Sequence, residues 1–258
     1  MKKLLILTLT ITVTLSISTL SIAQDTKDNI HLFQSFHEDA IIAKTPYVDA
    51  GLSFASYDGF STFDLGAQGG YGVNPDLEIT SRLAFRSYSA DGADGQSGIT
   101  DLLVSGRYRL PVEGLKATAG GYITLPIGSE DIGQSHFNFG AFAALRHPLS
   151  NGMVVTGNLG LEFYETKNYT YDSNTFDLKE ETEYETALRI AGGVIYPVNE
   201  QVNAIGELVI KTEGDYMMLS GGADYKLKGT GRVRGALGIG LDNGAPDFQL
   251  MISYFRPF

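Results

Sequence analysis

The fold class this sequence predicts is a transmembrane antiparallel β-barrel of about twelve strands, with short turns on one rim and longer loops on the other. Three observations carry it. Apolar and polar residues alternate with period two from Tyr47 to the last residue, and tight turns alternate with longer polar connections. The content of 31 Gly, 14 Tyr and 14 Phe in 258 residues also suits an all-β protein better than a helical one.

Before the alternation begins, the chain carries an address. Lys2 and Lys3 precede an uncharged stretch from Leu4 to Leu20, and Ser21-Ile22-Ala23 puts small residues before Gln24. Thr and Ser dilute the stretch and a cleavage-type site follows it, so residues 1–23 read as a removed signal peptide rather than a membrane anchor. The absence of Cys excludes a lipoprotein anchor, disulfides, zinc fingers, iron–sulfur clusters and a thiol nucleophile. Residues 24–46 hold His31, His37 and one apolar cluster from Ala40 to Ala43 without a clean period. They read as a leader lying below or inside whatever follows, and as a candidate plug.

Residues 47–258 divide into twelve alternating segments, at 47–57, 61–73, 77–88, 99–110, 115–125, 136–147, 153–164, 183–196, 202–212, 216–227, 232–242 and 248–258. In the third, Leu77, Ile79, Ser81, Leu83 and Phe85 alternate with Glu78, Thr80, Arg82, Ala84 and Arg86. In the fourth, Leu102, Val104, Gly106, Tyr108 and Leu110 alternate with Asp101, Leu103, Ser105, Arg107 and Arg109. The segments near 153–164 and 232–242 repeat the pattern. The number is even, as single-chain bacterial barrels require. Turns rich in Pro, Asn and Gly fall at 74–76, 111–114, 148–152, 197–201 and 228–231, and polar loops at 89–98, 126–135, 165–182 and 242–247. The connection at Asp58-Gly59 is short although it belongs to the long-loop rim.

Magnitudes decide which face points outward. The apolar face carries one charge, Arg256, whereas the other carries many, and each charge turned toward hydrocarbon near the midplane would cost about 2–4 kcal/mol. The greasy face therefore meets lipid. A soluble, lipocalin-like barrel would reverse the faces, but twelve strands are more than such a barrel uses and their lengths match a bilayer crossing. Tyr71, Tyr108, Tyr196, Tyr225, Tyr254, Phe137, Phe163 and Phe248 sit near segment ends where interfacial girdles belong. The expected partners are outer-membrane lipid and lipopolysaccharide. The alternation running up to Phe258 resembles the carboxy-terminal signal read by the barrel-assembly machinery, from which Arg256 and Pro257 depart.

A net charge of −11 without a basic stripe excludes nucleic acid as a partner. Enzyme readings find little footing. Ser135 and His136 are adjacent in a strand and so point to opposite faces, which is poor geometry for a nucleophile and its base. The acidic turn Asp91-Gly92-Ala93-Asp94-Gly95 lacks the glutamate that completes a calcium loop, and the Gly235/Gly238/Gly240 cluster leads to no helix. No catalytic residue, metal or cofactor is expected.

Four stretches bear a family likeness: Gly98-Ile99-Thr100-Asp101-Leu102, Gly106-Arg107-Tyr108-Arg109-Leu110, residues 121–129 (Gly-Tyr-Ile-Thr-Leu-Pro-Ile-Gly-Ser) and Gly157-Asn158-Leu159-Gly160. Together they resemble the outer-membrane transporter family of the MetA pathway of phenol degradation, over residues 45–258. Ile127 stands where that family's pattern has Thr, and the loop after it is shorter. The resemblance implies a barrel in the outer membrane, uptake of small and often aromatic compounds, and no catalytic residues.

The lumen is the place to look for a site. Inward candidates are Arg82, Arg86, Arg107, Arg109, Tyr122, Arg146, Arg189 and Arg234, with Arg232 and the acids Asp64, Glu78, Asp101, Glu162, Glu185, Glu207 and Asp224. Symmetric pairing about the 89–98 loop would set Arg86 opposite Asp101 and Glu78 opposite Arg109; the 228–231 hairpin would set Asp224 near Arg234. Two readings follow. One is a channel for passive uptake of small solutes, with Tyr88, Tyr122 and Phe142 as stacking partners. The other is a closed structural or surface-interaction barrel, whose 165–182 loop, with Tyr164, Tyr169, Tyr171 and Phe176, meets a partner.

Overall fold

The computed structural model describes residues 30–129, 132–133, 136–172, 177–229 and 231–258, and of residues 167–172 and 177–181 the backbone. The signal-peptide reading of 1–23, the start of the leader, Ser135 and Phe176 lie outside the described residues, and so do the side chains of Tyr169 and Tyr171.

Among the described residues thirteen strands form one antiparallel sheet: β1 (Tyr47–Tyr57), β2 (Phe60–Asn74), β3 (Leu77–Ala90), β4 (Gln96–Ile99), β5 (Leu102–Leu110), β6 (Lys116–Leu125), β7 (Asn138–Pro148), β8 (Val154–Asp172), β9 (Asp177–Pro197), β10 (Val202–Lys211), β11 (Tyr216–Lys226), β12 (Arg232–Gly240) and β13 (Phe248–Pro257). β1 pairs with both β2 and β13, and β2 with β3, so the sheet closes on itself. β4 and β5 share one place in the ring beside β3, which makes twelve staves. Closure gives each stave of the ring a neighbour on both sides, as a sheet in hydrocarbon requires, while the short β4 pairs with β3 alone.

Alternation then sorts the side chains. Leu52, Phe85, Leu159, Leu237 and Ile252 stand exposed on the outer face, whereas Asp49, Glu78, Arg107, Glu207 and Arg234 are buried on the inner one. Aromatic residues divide between the rims. Tyr71, Tyr108, Tyr196, Tyr225 and Tyr254 ring the short-turn end of the outer face. At the other end Phe139 stacks on Phe163 at 4.8 Å and meets Tyr184 edge-on at 5.6 Å. The short turns close locally: the side-chain oxygen of Asn74 accepts from the backbone N–H groups of Asp76 and Leu77, and that of Asn199 from those of Gln201 and Val202. Across the opposite rim, β1 and β2 join through Asp58-Gly59, where Gly59 takes φ 79° at no steric cost.

Three details differ from the sequence expectation. The segment expected as one strand over 99–110 is broken by a bulge at Thr100-Asp101, where the pairing shifts from Phe85↔Ile99 to Arg82↔Leu103. Thr100 holds the break: its N–H donates to the Ala84 carbonyl at 2.8 Å and its hydroxyl oxygen accepts from the Ala84 N–H at 3.0 Å. The β3–β4 hairpin displaces the register by three residues and the extra residue takes back one, so Arg86 lies opposite Gly98 and Glu78 opposite Arg107, not Asp101 and Arg109. Second, the expected 165–182 loop is strand over 165–172 and 177–182: the β8–β9 ladder continues to Asp172↔Asp177, because the Thr, Tyr, Lys and Glu of this stretch sustain a pleat without needing burial. Third, the 89–98 loop shrinks to 91–95 for the same reason, β3 running on to Ala90 and β4 starting at Gln96.

A charge placed on the outer face tests this sorting. Leu237→Arg, in the middle of β12, is expected to lower barrel stability in phospholipid vesicles by about 2–4 kcal/mol, read as a shifted urea-unfolding midpoint against the unsubstituted chain.

Candidate functional site

Residues 30–46 form no strand, so their backbone groups have no ladder partner, and they lie against the inward side chains of strands from all round the ring. The arginines of the wall supply donors. Arg107 reaches the carbonyls of Phe36 (3.1 Å), His37 (3.5 Å) and Asp39 (3.4 Å) while its other nitrogen meets Glu78 at 2.6 Å. Arg146 donates to the Ile30 carbonyl at 2.9 Å and to Asp39 at 3.2 Å. Arg234 donates to the carbonyls of His31 (2.7 Å) and Leu32 (3.2 Å) and pairs with Asp49 at 2.5 Å. Arg189 bonds the Ser35 hydroxyl at 2.9 Å and Asn158 at 2.8 Å.

Glu207 supplies the acceptor. One of its oxygens takes the N–H groups of Phe33 (3.0 Å) and Gln34 (2.8 Å), and the other the Ser35 hydroxyl at 2.5 Å. Glu78 takes the Ala43 N–H at 2.5 Å and the Tyr47 hydroxyl at 2.7 Å. Two apolar clusters complete the seat: Ile30 and Leu32 on Ile195 and Ile205, and Phe36 and Ala43 on Tyr47 and Phe255. A buried charge without a partner is expensive, so this mutual neutralisation holds both wall and segment.

Two histidines of the segment are buried among these cations. His31 stacks on Phe36 at 4.4 Å, 3.9 Å from Asp39; His37 shares a hydrogen at 2.9 Å with the Thr80 hydroxyl. Burial holds both imidazoles well below their ordinary pKa, and guanidinium groups add to it, Arg107, Arg234, Arg146 and Arg232 around His31 and Arg82, Arg107 and Arg189 around His37. For His37 a hydrogen bond with Gln68 works in the opposite sense. Both rings are therefore neutral at pH 7.

Most inward residues that grip the segment lie in the half of each strand next to the short turns. Toward the long-loop rim the lumen keeps space. A cavity of about 220 Å³ is lined by Phe33, Gln34, Asp49, Asp64, Arg82, Arg86 and Arg234 among others. A second, of about 330 Å³, is lined by Gln34, Glu38, Arg82, Tyr122, Glu162, Tyr164, Arg189, Lys211 and Tyr216 among others. Gln34 and Arg82 border both. Tyr122 fits because Gly140 beside it has no side chain: a Cβ there would stand 2.5 Å from the ring.

The structure distributes the sequence candidates unevenly. Arg82, Arg86, Tyr122, Arg189 and Arg234 line the cavities; Arg107 and Arg146 are spent on residues 30–46. Arg109 is not part of this lumen cluster: it sits exposed at the short-turn rim, 3.8 Å from Asp76. Tyr88 stacks on Phe60 at 5.1 Å and Phe142 is buried against the wall beside Gly120, and neither lines these two cavities. Asp224 does lie beside Arg234, at 3.5 Å. Sequence reasoning left out Gln34, Glu38, Lys211 and Tyr216. The parity that turns Glu207 inward also turns Lys211 inward, so that one was within reach; Gln34 and Glu38 belong to an aperiodic segment and were not.

A search of curated protein sequences finds no match. Among solved structures the chain is similar to an outer membrane channel from Pseudomonas putida F1, with a TM-score of 0.68 and 16% identity over 92% of this chain and 100% of that one. It is also similar to the KdgM porin in complex with disordered oligogalacturonate, with a TM-score of 0.53 and 11% identity over 82% of this chain and 99% of that one. At such identities the likeness shows the fold, an outer-membrane β-barrel. Residues 42–254 match the family described as "Putative MetA-pathway of phenol degradation", and the chain belongs to that family.

Proposed function

We propose that the protein is an outer-membrane channel for passive uptake of small aromatic or hydrophobic solutes, held closed at rest by residues 30–46. One observation carries this reading: a closed barrel retains solute-sized space in the half of its lumen beyond the segment, lined by charged and tyrosine side chains rather than filled by them. A barrel serving only as a wall has no use for such space. The family membership and the similarity in fold to a channel and a porin support the same reading. The outer face then contacts lipid and lipopolysaccharide, and Phe258, whose N–H donates to the Pro46 carbonyl at 2.9 Å, closes the strand read by the assembly machinery.

Planar-bilayer recording tests it. The mature chain is expected to show little steady conductance, and a variant lacking residues 30–43 discrete openings; silence in both, with correctly folded barrels, would favour the closed interaction barrel instead. A milder change acts on the same contact. Glu207→Ala removes the acceptor of three hydrogen bonds to the segment, each worth about 1.5–3 kcal/mol with a charged partner. Loss of even one such bond predicts at least about tenfold more open time.

The buried histidines give the seat a pH dependence. Because their pKa is lowered in the seated state, the released segment binds more protons, so the seat is at full strength above the ordinary histidine pKa of about 6.5 and weakens as pH falls below it. Open probability should rise between pH 7 and pH 5. The rise should be smaller in His31→Gln, and a flat profile in the parent chain would count against this account.

A further inference from the structure

Five cations line the two cavities: Arg82, Arg86, Arg189, Lys211 and Arg234. Four have carboxylate partners on the same walls. Arg86 holds Asp64 through two nitrogens at 2.7 Å, and Arg234 holds Asp49 at 2.5 Å. Lys211 lies 2.8 Å from Glu162, and Arg189 lies 3.7 Å from Glu38 and 3.8 Å from Glu162. Each of the four carboxylates lining the cavities thus has a cation other than Arg82 within 4 Å, and Glu207 nearby accepts from three donors of residues 30–46.

Arg82 has neither a hydrogen bond nor an ion pair among the described residues, it is accessible, and it borders both cavities. Of the five cations lining the cavities Arg82 alone is without a contact partner among the described residues, and its guanidinium is a planar fork of donors suited to a carboxylate. Beside polar side chains such as Thr124, Asn138 and Glu162, the larger cavity offers surface that suits a ring. Tyr122, Tyr164 and Tyr216 offer aromatic surface and Leu103 and Val209 aliphatic surface, and a volume of about 330 Å³ stands at the small end of ligand pockets, which run from roughly 300 to 1,000 Å³.

We propose that Arg82 receives the carboxylate of a single-ring aromatic monoanion whose ring occupies the tyrosine-lined cavity. The inference rests on the lumen being a solute compartment, as proposed above. It narrows the solute class from aromatic or hydrophobic compounds in general to those that bring one negative charge.

The test uses the purified full chain in neutral detergent at low chloride, with benzoate and its uncharged counterpart benzyl alcohol as probes, followed by calorimetry and ligand-observed NMR. Benzoate should bind at least tenfold more tightly than benzyl alcohol. Arg82→Gln should abolish that preference while benzyl alcohol binding stays as it was, and Arg82→Lys should restore part of it. Heat-modifiable migration on gels checks that each variant is a folded barrel. Equal binding of the two probes, or a benzoate preference that survives Arg82→Gln, would overturn the role of Arg82 and leave the channel reading standing. Binding of neither probe would overturn both.

Discussion

A guanidinium turned away from hydrocarbon must still find an acceptor, and the rest of this molecule is arranged around that requirement. Period two sends every second side chain inward, and lipid excludes charge from the other half, so the lumen collects Arg107, Arg146, Arg189, Arg232 and Arg234, each within 4 Å of a carboxylate. A guanidinium carries more donors than one carboxylate takes, and Arg107, Arg146 and Arg234 give theirs to backbone carbonyls of residues 30–46. A segment with no periodicity of its own is thereby given a fixed path, because its polar groups have partners nowhere else.

That relation explains what could be read from the sequence and what could not. The strands were legible because their signal is local: Leu77 to Arg86 alternate whatever they pair with, and a charge on the greasy face is costly in any register. Register was less accessible, because the place where the β3–β4 hairpin turns and the residue inserted at Thr100-Asp101 leave the hydrophobic pattern on each side intact while together setting Glu78 opposite Arg107 and not Arg109. Strand ends misled in another way. Lys, Glu, Thr and Tyr in 165–182 look like a loop by polarity, yet a hairpin rising above a membrane is polar on both faces. Of the lumen residues, the arginines could be named from parity, but which of them would be free depended on where residues 30–46 run.

The lumen also shows how volume is apportioned in a barrel of intermediate girth. Phe142 sinks against Gly120 and Tyr122 lies over Gly140, so bulky rings are laid along the wall where glycine leaves a notch and do not cross the middle. Opposite the segment this preserves open space; on its own side, Leu32, Phe36 and Phe255 fill the section. The result is a compartment with a packed floor and a tyrosine-rich upper chamber, and polarity that changes over a few residues of strand.

The position of residues 30–46 bears on the order in which the molecule is made. Ser35 bonds Glu207, 172 positions later, and the His31 carbonyl bonds Arg234, 203 positions later, so these contacts cannot exist until almost the whole ring has been assembled. The β1–β13 ladder, from Tyr47↔Pro257 to Ser56↔Phe248, spans comparable distances, and the loop-closure entropy of such contacts is offset only once the wall is in place. The segment precedes β1, which is also the strand that completes the seam with β13. The part of the barrel domain that is synthesised first is therefore among the last to find its place, and until the seam shuts the wall's arginines must be served by water.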